Sequence, residues 1–325
     1  MTERTTISLT GGGGHLGSCL TQMLLKNGYL VNALYYHSLP SISHPNLTWI
    51  KGDITNPDSL NDLFTNSSVM IHCASMISIG DKDEQAVYNI NVHGTENVIN
   101  ACLKLNIKMI YISSSVAVIE TKENEVFDED RPYKTENDFL YPWTKVLSEK
   151  NVLSAVKNNN LDAFIIRPTA IVGPPDFKPS HFGSTILDLA DNKIPAITSG
   201  GYNLVDVRDL SQTIINSLHK GEKGEVYLVG GNYYNLKQIA KMANSNRNPI
   251  CISLNLLICI LPIINFYKKL FPLRWAITKE SLITLKYAPK QMDCSKAKNK
   301  LGHTVRPLTE TILDLIIWFR KQQNS

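Results

Sequence analysis

A chain of 325 residues, 43% apolar and 19% charged, has enough material for one large domain with a smaller appendage and a substantial core. The formal net charge is only +4, and Lys and Arg are spread along the chain, which excludes the basic stripe of a nucleic-acid binder. The six cysteines, at 19, 73, 102, 251, 259 and 294, form no CxxC pair and sit mostly in apolar runs. They are expected to be buried thiols in a reducing compartment, and MTERTTISLT has no apolar signal segment, so the expected location is cytoplasmic.

Thr6–Leu9, TISL, is a short β-prone run, followed by the glycine turn TGGGGHLG and an amphipathic stretch ending at Gly28. Strand, glycine turn and helix in that order suit a dinucleotide. Gly11, Gly14 and Gly17 permit a tight turn, close approach of backbone to a pyrophosphate, and packing of helix on strand, with the phosphate charge at the helix N-terminus. A second strand, LVNALYY, should end beside the adenosine ribose, where a carboxylate selects NAD and an arginine selects NADP. Tyr35 and Tyr36 stand there instead, followed by His37 and Ser38. The missing carboxylate at Tyr35 tilts the cofactor from NAD toward NADP, and no arginine at Tyr36 completes the rule.

Alternation continues through LTWIKGD, a helix over SLNDLF, SVMIHCAS, a long helix over 83–105, MIYISSS, a helix over 139–158 and AFIIRP. This pattern predicts an α/β fold with a doubly wound parallel sheet of Rossmann type. Polar groups fall at the strand C-termini, where such sheets bind ligands: Asp53, Ala74 with Ser75, and Ser113 to Ser115. In LYPWTKVLSEK, Tyr141 and Lys145 lie four apart on one helical face, with Pro142 tolerated in the first turn. A cation this close should favour the phenolate and lower the Tyr141 pKa, making a general acid or base. Tyr233 and Lys237 repeat the spacing without a cofactor turn upstream, and serve as an internal control.

TGGGGHLG, KGDITN, HCAS, NVHGTENV, YISSS, YPWTK and IIRPTAIVGP, in that order, resemble the extended short-chain dehydrogenase/reductase superfamily over nearly the whole chain. RPTAIVGPPDFKPSHFG and GGYNLVDVRDL are most similar to its branch of dihydroflavonol reductases, 3β-hydroxysteroid dehydrogenases and hopanoid-associated epimerase-like proteins. The resemblance implies a Ser115, Tyr141, Lys145 triad. Tyr141 would move the proton, Ser115 (with Ser114 its rival) would bond the substrate oxygen, and Lys145 would hold the nicotinamide ribose. It further implies that Gly11, Gly14, His15, Leu16, Gly17, Asp53, Ile54, Ala74, Ser75, Ser113, Pro168 and Thr169 join Tyr141 and Lys145 in binding NAD or NADP. No metal is expected.

Within the superfamily, sugar-nucleotide epimerases carry an asparagine three positions after the arginine of IIRPTAIVGP, where this chain has Ala170. Dehydratases follow the catalytic hydroxyl with Asp-Glu, where this chain has Val116 and Ala117. Pro168 and Thr169 match the reductase pattern. The expected reaction interconverts a ketone or aldehyde and an alcohol; a sugar-type epimerase and a non-catalytic NAD(P) sensor are the alternatives.

The Rossmann domain is expected over 1–230, with an excursion at about 171–201 into a smaller C-terminal substrate lobe that continues over 231–325. Asp206 and Asp209 invite a metal reading, but the spacing lacks other ligands, and Asp209 is expected to be structural or to cap a helix. Residues 249–267 run 19 positions without a charge. This run reads as an apolar wall or lid over the substrate, as a surface helix dipping into a membrane through 249–273 with Lys268 and Lys269 at headgroup level, or as a span. The first two imply a hydrophobic small-molecule substrate. The helices over 83–105 and 139–158 resemble those that pair relatives into homodimers.

Overall fold

A computed structural model describes residues 5–77, 83–122, 124–246, 249–270 and 278–323. In chain order the elements are β1 (Thr6–Thr10), α1 (His15–Lys26), β2 (Leu30–Tyr35), β3 (Leu47–Lys51), β4 (Ser67–His72), α2 (Glu84–Tyr88), α3 (Gly94–Leu105), β5 (Lys108–Ile112), α4 (Leu140–Asn159), β6 (Ala163–Pro168) and β7 (Ala170–Val172). There follow α5 (His181–Ala190), β8 (Ala196–Thr198), β9 (Gly201–Asp206), α6 (Val207–Lys220), β10 (Val226–Val229), β11 (Asn232–Asn235), α7 (Leu236–Ala243), β12 (Ile250–Ile252), α8 (Leu254–Leu270), α9 (Lys279–Tyr287) and α10 (Leu308–Gln323).

Seven parallel strands form the main sheet in the order β10-β6-β5-β4-β1-β2-β3. Both faces are covered, so the strands are apolar almost throughout. Alternate side chains serve opposite faces. Ile7, Leu9, Ile71, Ile110 and Ile166 pack with Leu20 of α1 and Leu210 and Ile214 of α6. Met70, Met109, Tyr111 and Ile165 pack with Val98 and Cys102 of α3 and Val152 of α4. The sheet is doubly wound, as the alternation predicts.

The expected helix over SLNDLF is two short 3-10 turns, Pro57–Leu60 and Asp62–Phe64. Asn56 caps the first turn, and Leu60, Leu63 and Phe64 are buried in the α3 and α4 layer. A left-handed Asn66 then turns the chain into β4, leaving no length for a full helix. Two of the six thiols also depart from expectation: Cys251 and Cys259 are exposed, because β12 and α8 cover only one side of their own apolar surface.

A second layer grows from the end of β6. Strands β7 and β9 pair in parallel and β11 adds antiparallel to β9, so the NLVD segment belongs to this small sheet before α6 returns to the large one. Val172, Leu204 and Ile239 pack there with Ile186 of α5 and with Leu308, Ile312, Leu315 and Phe319 of α10. Ala297 and Leu301 meanwhile pack in the first cluster, beside α1 and α6. Asp206 caps α6 by accepting from Arg208 N at 2.8 Å, while Asp209 accepts from Arg306 Nη2 at 2.7 Å and Nε at 2.9 Å. Both carboxylates are thus engaged by arginines.

One buried ion pair fixes α4 against the sheet. Arg167 of β6 donates through Nη2 to Glu149 at 2.6 Å and through Nε at 2.9 Å, and through Nη1 to the Glu129 carbonyl at 2.9 Å. Glu149 also accepts from the Tyr133 hydroxyl at 2.9 Å and is fully buried. Arg167→Met is therefore expected to strand the carboxylate and destabilise the fold by about 3–5 kcal/mol, read from the denaturant midpoint. The Arg167→Met, Glu149→Met double variant should recover much of that loss. Simple addition of the two single losses would show instead that the pair is a net stabiliser.

Candidate active site

The strand order reverses between β1 and β4, the switch point at which doubly wound sheets open a crevice. Gly11 turns there with φ of +71°, and a Cβ on it would stand 2.8 Å from the Ala74 nitrogen. A Cβ on Gly17 would lie 2.0 Å from the Gly11 carbonyl, so this position also demands glycine. Gly14 starts α1 with no side-chain cap and no acid in the first turn, leaving that helix end suited to an anion. Leu16 is buried against the sheet, and His15 Nε2 hydrogen-bonds the Gly173 carbonyl at 2.7 Å, joining the glycine turn to the end of β7.

Ala74 N donates to Thr10 Oγ1 at 3.2 Å, and Thr10 Oγ1 also meets His72 Nδ1 at 2.6 Å. His72 is fully buried; burial, with Lys145 nearby, pulls its pKa down to about 3 and keeps the ring neutral. At the far edge, beyond β3, Asp53 Oδ1 accepts from Thr55 N at 2.8 Å. Ile54 is buried against Gly94, and its carbonyl accepts from Asn97 Nδ2 at 2.9 Å.

On α4, Tyr141 and Lys145 share a face, with Nζ 6.0 Å from the phenol ring centre. Lys145 is 2% exposed and donates to the Ile112 carbonyl at 3.1 Å and to Tyr111 Oη at 3.4 Å. Burial lowers its pKa to about 8, against the opposing pull of Glu149. Tyr141 shifts the other way from expectation. Burial pushes its pKa up to about 12 against the opposing pull of the Ser75 and Ser114 hydroxyls, and Glu280 of α9 adds to the rise. The physical reason is that Lys145 turns its ammonium, 6.0 Å from the phenol ring centre, to the Ile112 carbonyl, while desolvation of the phenol is offset only in part. The control pair separates: Tyr233 lies in β11, whereas Lys237 lies in α7 beyond the Asn235 cap, so no helical face joins them.

Of the serine run, Ser113 is buried with an unpartnered Oγ, and Ser114 caps the 3-10 turn Ser115–Ala117 by accepting from Val116 N at 3.4 Å. Ser115 opens that turn, and the hydroxyl of this run that acts on the Tyr141 phenol is that of Ser114. Pro168 ends β6, and Thr169, the next residue, has a buried unpartnered Oγ1. Two orphaned hydroxyls and an uncapped helix end behind a glycine turn fit a dinucleotide.

Sequence reasoning missed Asn91. It lies in the π turn Asn89–His93 that joins α2 to α3, 2% exposed. Its amide accepts from Met76 N at 2.7 Å and Ser75 Oγ at 3.1 Å, and donates to the Met76 carbonyl and to Thr144 Oγ1, both at 2.9 Å. It therefore sets Ser75 and binds the loop after β4 to α4. The available signal was an asparagine amid apolar helix positions, a residue disfavoured there unless its amide is used.

The model of the NAD dependent epimerase/dehydratase family matches residues 7–230. The chain belongs to that family. It is similar to sterol demethylase protein B of Methylococcus capsulatus, with 29% identity over 98% of this chain and 99% of that protein. It is also similar to a putative dihydroflavonol 4-reductase of Synechocystis sp., with 28% identity over 96% of this chain and 94% of that protein. Among solved structures, gox2253 superposes with a TM-score of 0.85 at 27% identity, over 98% of this chain and 99% of that one. The chain is thus an NAD(P)-dependent enzyme of the short-chain dehydrogenase/reductase type, the class that its motifs imply.

The Lys145 shift has a signed consequence. Between about pH 8 and 10.5 the unfolded chain keeps a proton that the folded chain releases, so stability should rise with pH across that window. Relative to Lys145→Met, the cofactor-free wild type should gain in melting temperature from pH 8 to 10.5. A constant difference would mean that the amine titrates at its ordinary value.

Proposed function

We propose that the protein reversibly reduces a ketone or aldehyde on a hydrophobic small molecule, with NADP as the preferred cofactor. The observation that carries this is Tyr141, half-buried beside the Ser75 and Ser114 hydroxyls and one helical turn from Lys145. Bound nicotinamide would supply or accept the hydride. Tyr141 would give its phenolic proton to the alkoxide as it forms, or take a proton from the alcohol in reverse. A serine hydroxyl of the 113–115 run would hold the substrate oxygen, and Lys145 would exchange its Ile112 carbonyl for the ribose hydroxyls. Gly11, Gly14 and Gly17 would admit the pyrophosphate, and Ser113, Pro168 and Thr169 would border the nicotinamide end.

The reductase reading over the epimerase one is supported by Ala170, Val116 and Ala117, which place no amide or acid beside the triad, and by the sterol and flavonol names of the relatives. Tyr141→Phe should lower kcat by about 10²–10⁴-fold while leaving cofactor affinity nearly unchanged, and Tyr233→Phe should have no effect. Ser114→Ala and Ser115→Ala, compared by kcat, would show which hydroxyl bonds the substrate; full activity in Tyr141→Phe would sink the mechanism.

The uncharged run supports an apolar substrate and contact with a lipid surface. Helix α8 packs Leu254, Leu257, Ile258 and Leu261 against Leu282 and Leu285 of α9. Its other side exposes Leu256 and Ile263, at 52% and 69%, beside Ile250 at 71%. Residues 271–273 lie outside the described residues, and no described helix is long and apolar enough to cross a membrane. Activity should rise with substrate hydrophobicity across a panel from small sugars to flavonoids, steroids and long-chain ketones, and the protein should sediment with anionic liposomes. Highest turnover on nucleotide sugars would reverse the assignment. A homodimer through α3 and α4 belongs to the same reading, and light scattering checks it.

A further inference from the structure

The end of β2 lacks the arginine that would mark a 2′-phosphate site, and the structure brings a cation there from elsewhere in the chain. Lys178 Nζ donates to Ser38 Oγ at 3.1 Å, across 140 positions of sequence. Ser38 stands three residues beyond β2, where the adenosine ribose of a dinucleotide lies in this fold. The same loop lies over the glycine turn, with Pro40 Cγ 3.2 Å from where a Cβ on Gly13 would stand. No Asp or Glu occurs from residue 27 to residue 52, so no carboxylate from this stretch repels an anion.

The segment that carries Lys178 is held on both sides of it. Before it, the Gly173 carbonyl meets His15 Nε2 at 2.7 Å, and the Phe177 ring packs edge-on to Trp318 at 5.0 Å. After it, Ser180 donates its backbone N–H to Asp176 Oδ2 at 2.9 Å and its hydroxyl to the same oxygen at 2.8 Å, and Asp176 is 1% exposed. A lysine on such a segment is delivered to one place while its own stem stays adjustable, which suits a point-charge contact to phosphate.

We propose that Lys178, with the Ser38 hydroxyl, binds the 2′-phosphate of NADP and is the residue that sets cofactor preference. This rests on the NADP reading above and deepens it. The cation would come from the segment leading into the second layer, so the cofactor's adenosine end would be read jointly by both parts of the molecule.

Adenosine 2′,5′-bisphosphate and 5′-AMP differ only by the group in question, and calorimetric titration of each gives binding without turnover. Wild type should bind the bisphosphate at least tenfold more tightly than 5′-AMP, with the advantage shrinking as salt rises. Lys178→Met should cut bisphosphate affinity about tenfold, leave 5′-AMP and NAD affinity unchanged, and keep the wild-type melting temperature, since the side chain is exposed. Lys178→Arg should retain most of the preference. A wild type that prefers the bisphosphate, with Lys178→Met keeping that preference in full, would overturn the lysine assignment while the NADP reading stands. A wild type that binds both nucleotides equally would overturn the NADP reading and, with it, this proposal.

Discussion

The buried Arg167–Glu149 pair is the constraint on which the placing of Tyr141 and Lys145 depends. Tyr141, Lys145 and Glu149 are spaced at i, i+4 and i+8, so they form one stripe along α4, and the last of them is bolted to β6. Of the residues that follow Arg167, Pro168 ends β6 and Thr169 carries a buried, unpartnered hydroxyl. One bidentate contact therefore sets both the helix that carries Tyr141 and Lys145 and the strand that ends at Pro168. A slip of α4 by one residue would move the stripe about 1.5 Å along the axis and about 100° around it, enough to take the phenol out of the site. Asn91 secures the same helix from the opposite flank through Thr144.

Burial, more than neighbouring charge, governs the titration of the site in the cofactor-free chain. The phenol rises and the ammonium falls because each loses water, and the hydroxyls of Ser75 and Ser114 offset only part of the phenol's loss. Tyr141 and Lys145 are thus each displaced toward the neutral form. Hydroxyls placed between them would accept from the ammonium and donate to the phenolate and so relieve both displacements together, whereas added positive charge would relieve the phenol alone and push the ammonium further down.

The parts of this arrangement legible in the sequence are those whose signal is local. Alternating strand and helix patterns, the glycines at 11 and 17, and the YPWTK spacing each depend on neighbours within a few positions, and each appears where expected. Long-range effects were not legible. The spacing of Tyr141 and Lys145 predicts a shared face, but it does not reveal that Ile112 offers the ammonium a carbonyl. Likewise, SLNDLF has the apolar periodicity of a helix, yet it forms two tight turns that meet at Asn61 and bury Leu60, Leu63 and Phe64 in the α3 and α4 layer. Lys178 is the clearest case: nothing around position 178 resembles a nucleotide site, because its partner at Ser38 is supplied by the other end of the fold.

The late segments of the chain carry a consequence for how the molecule comes into being. Ala297 and Leu301 are fully buried beside the first strand and first helix, while α10 fills the core under the small sheet. Neither layer can shed its last water until residues 297–323 are at hand. Without Ala297 and Leu301 the sheet would stand with an open seam along α1 and α6, however complete its seven strands. The helix behind the glycine turn thus owes part of its packing to residues near position 300.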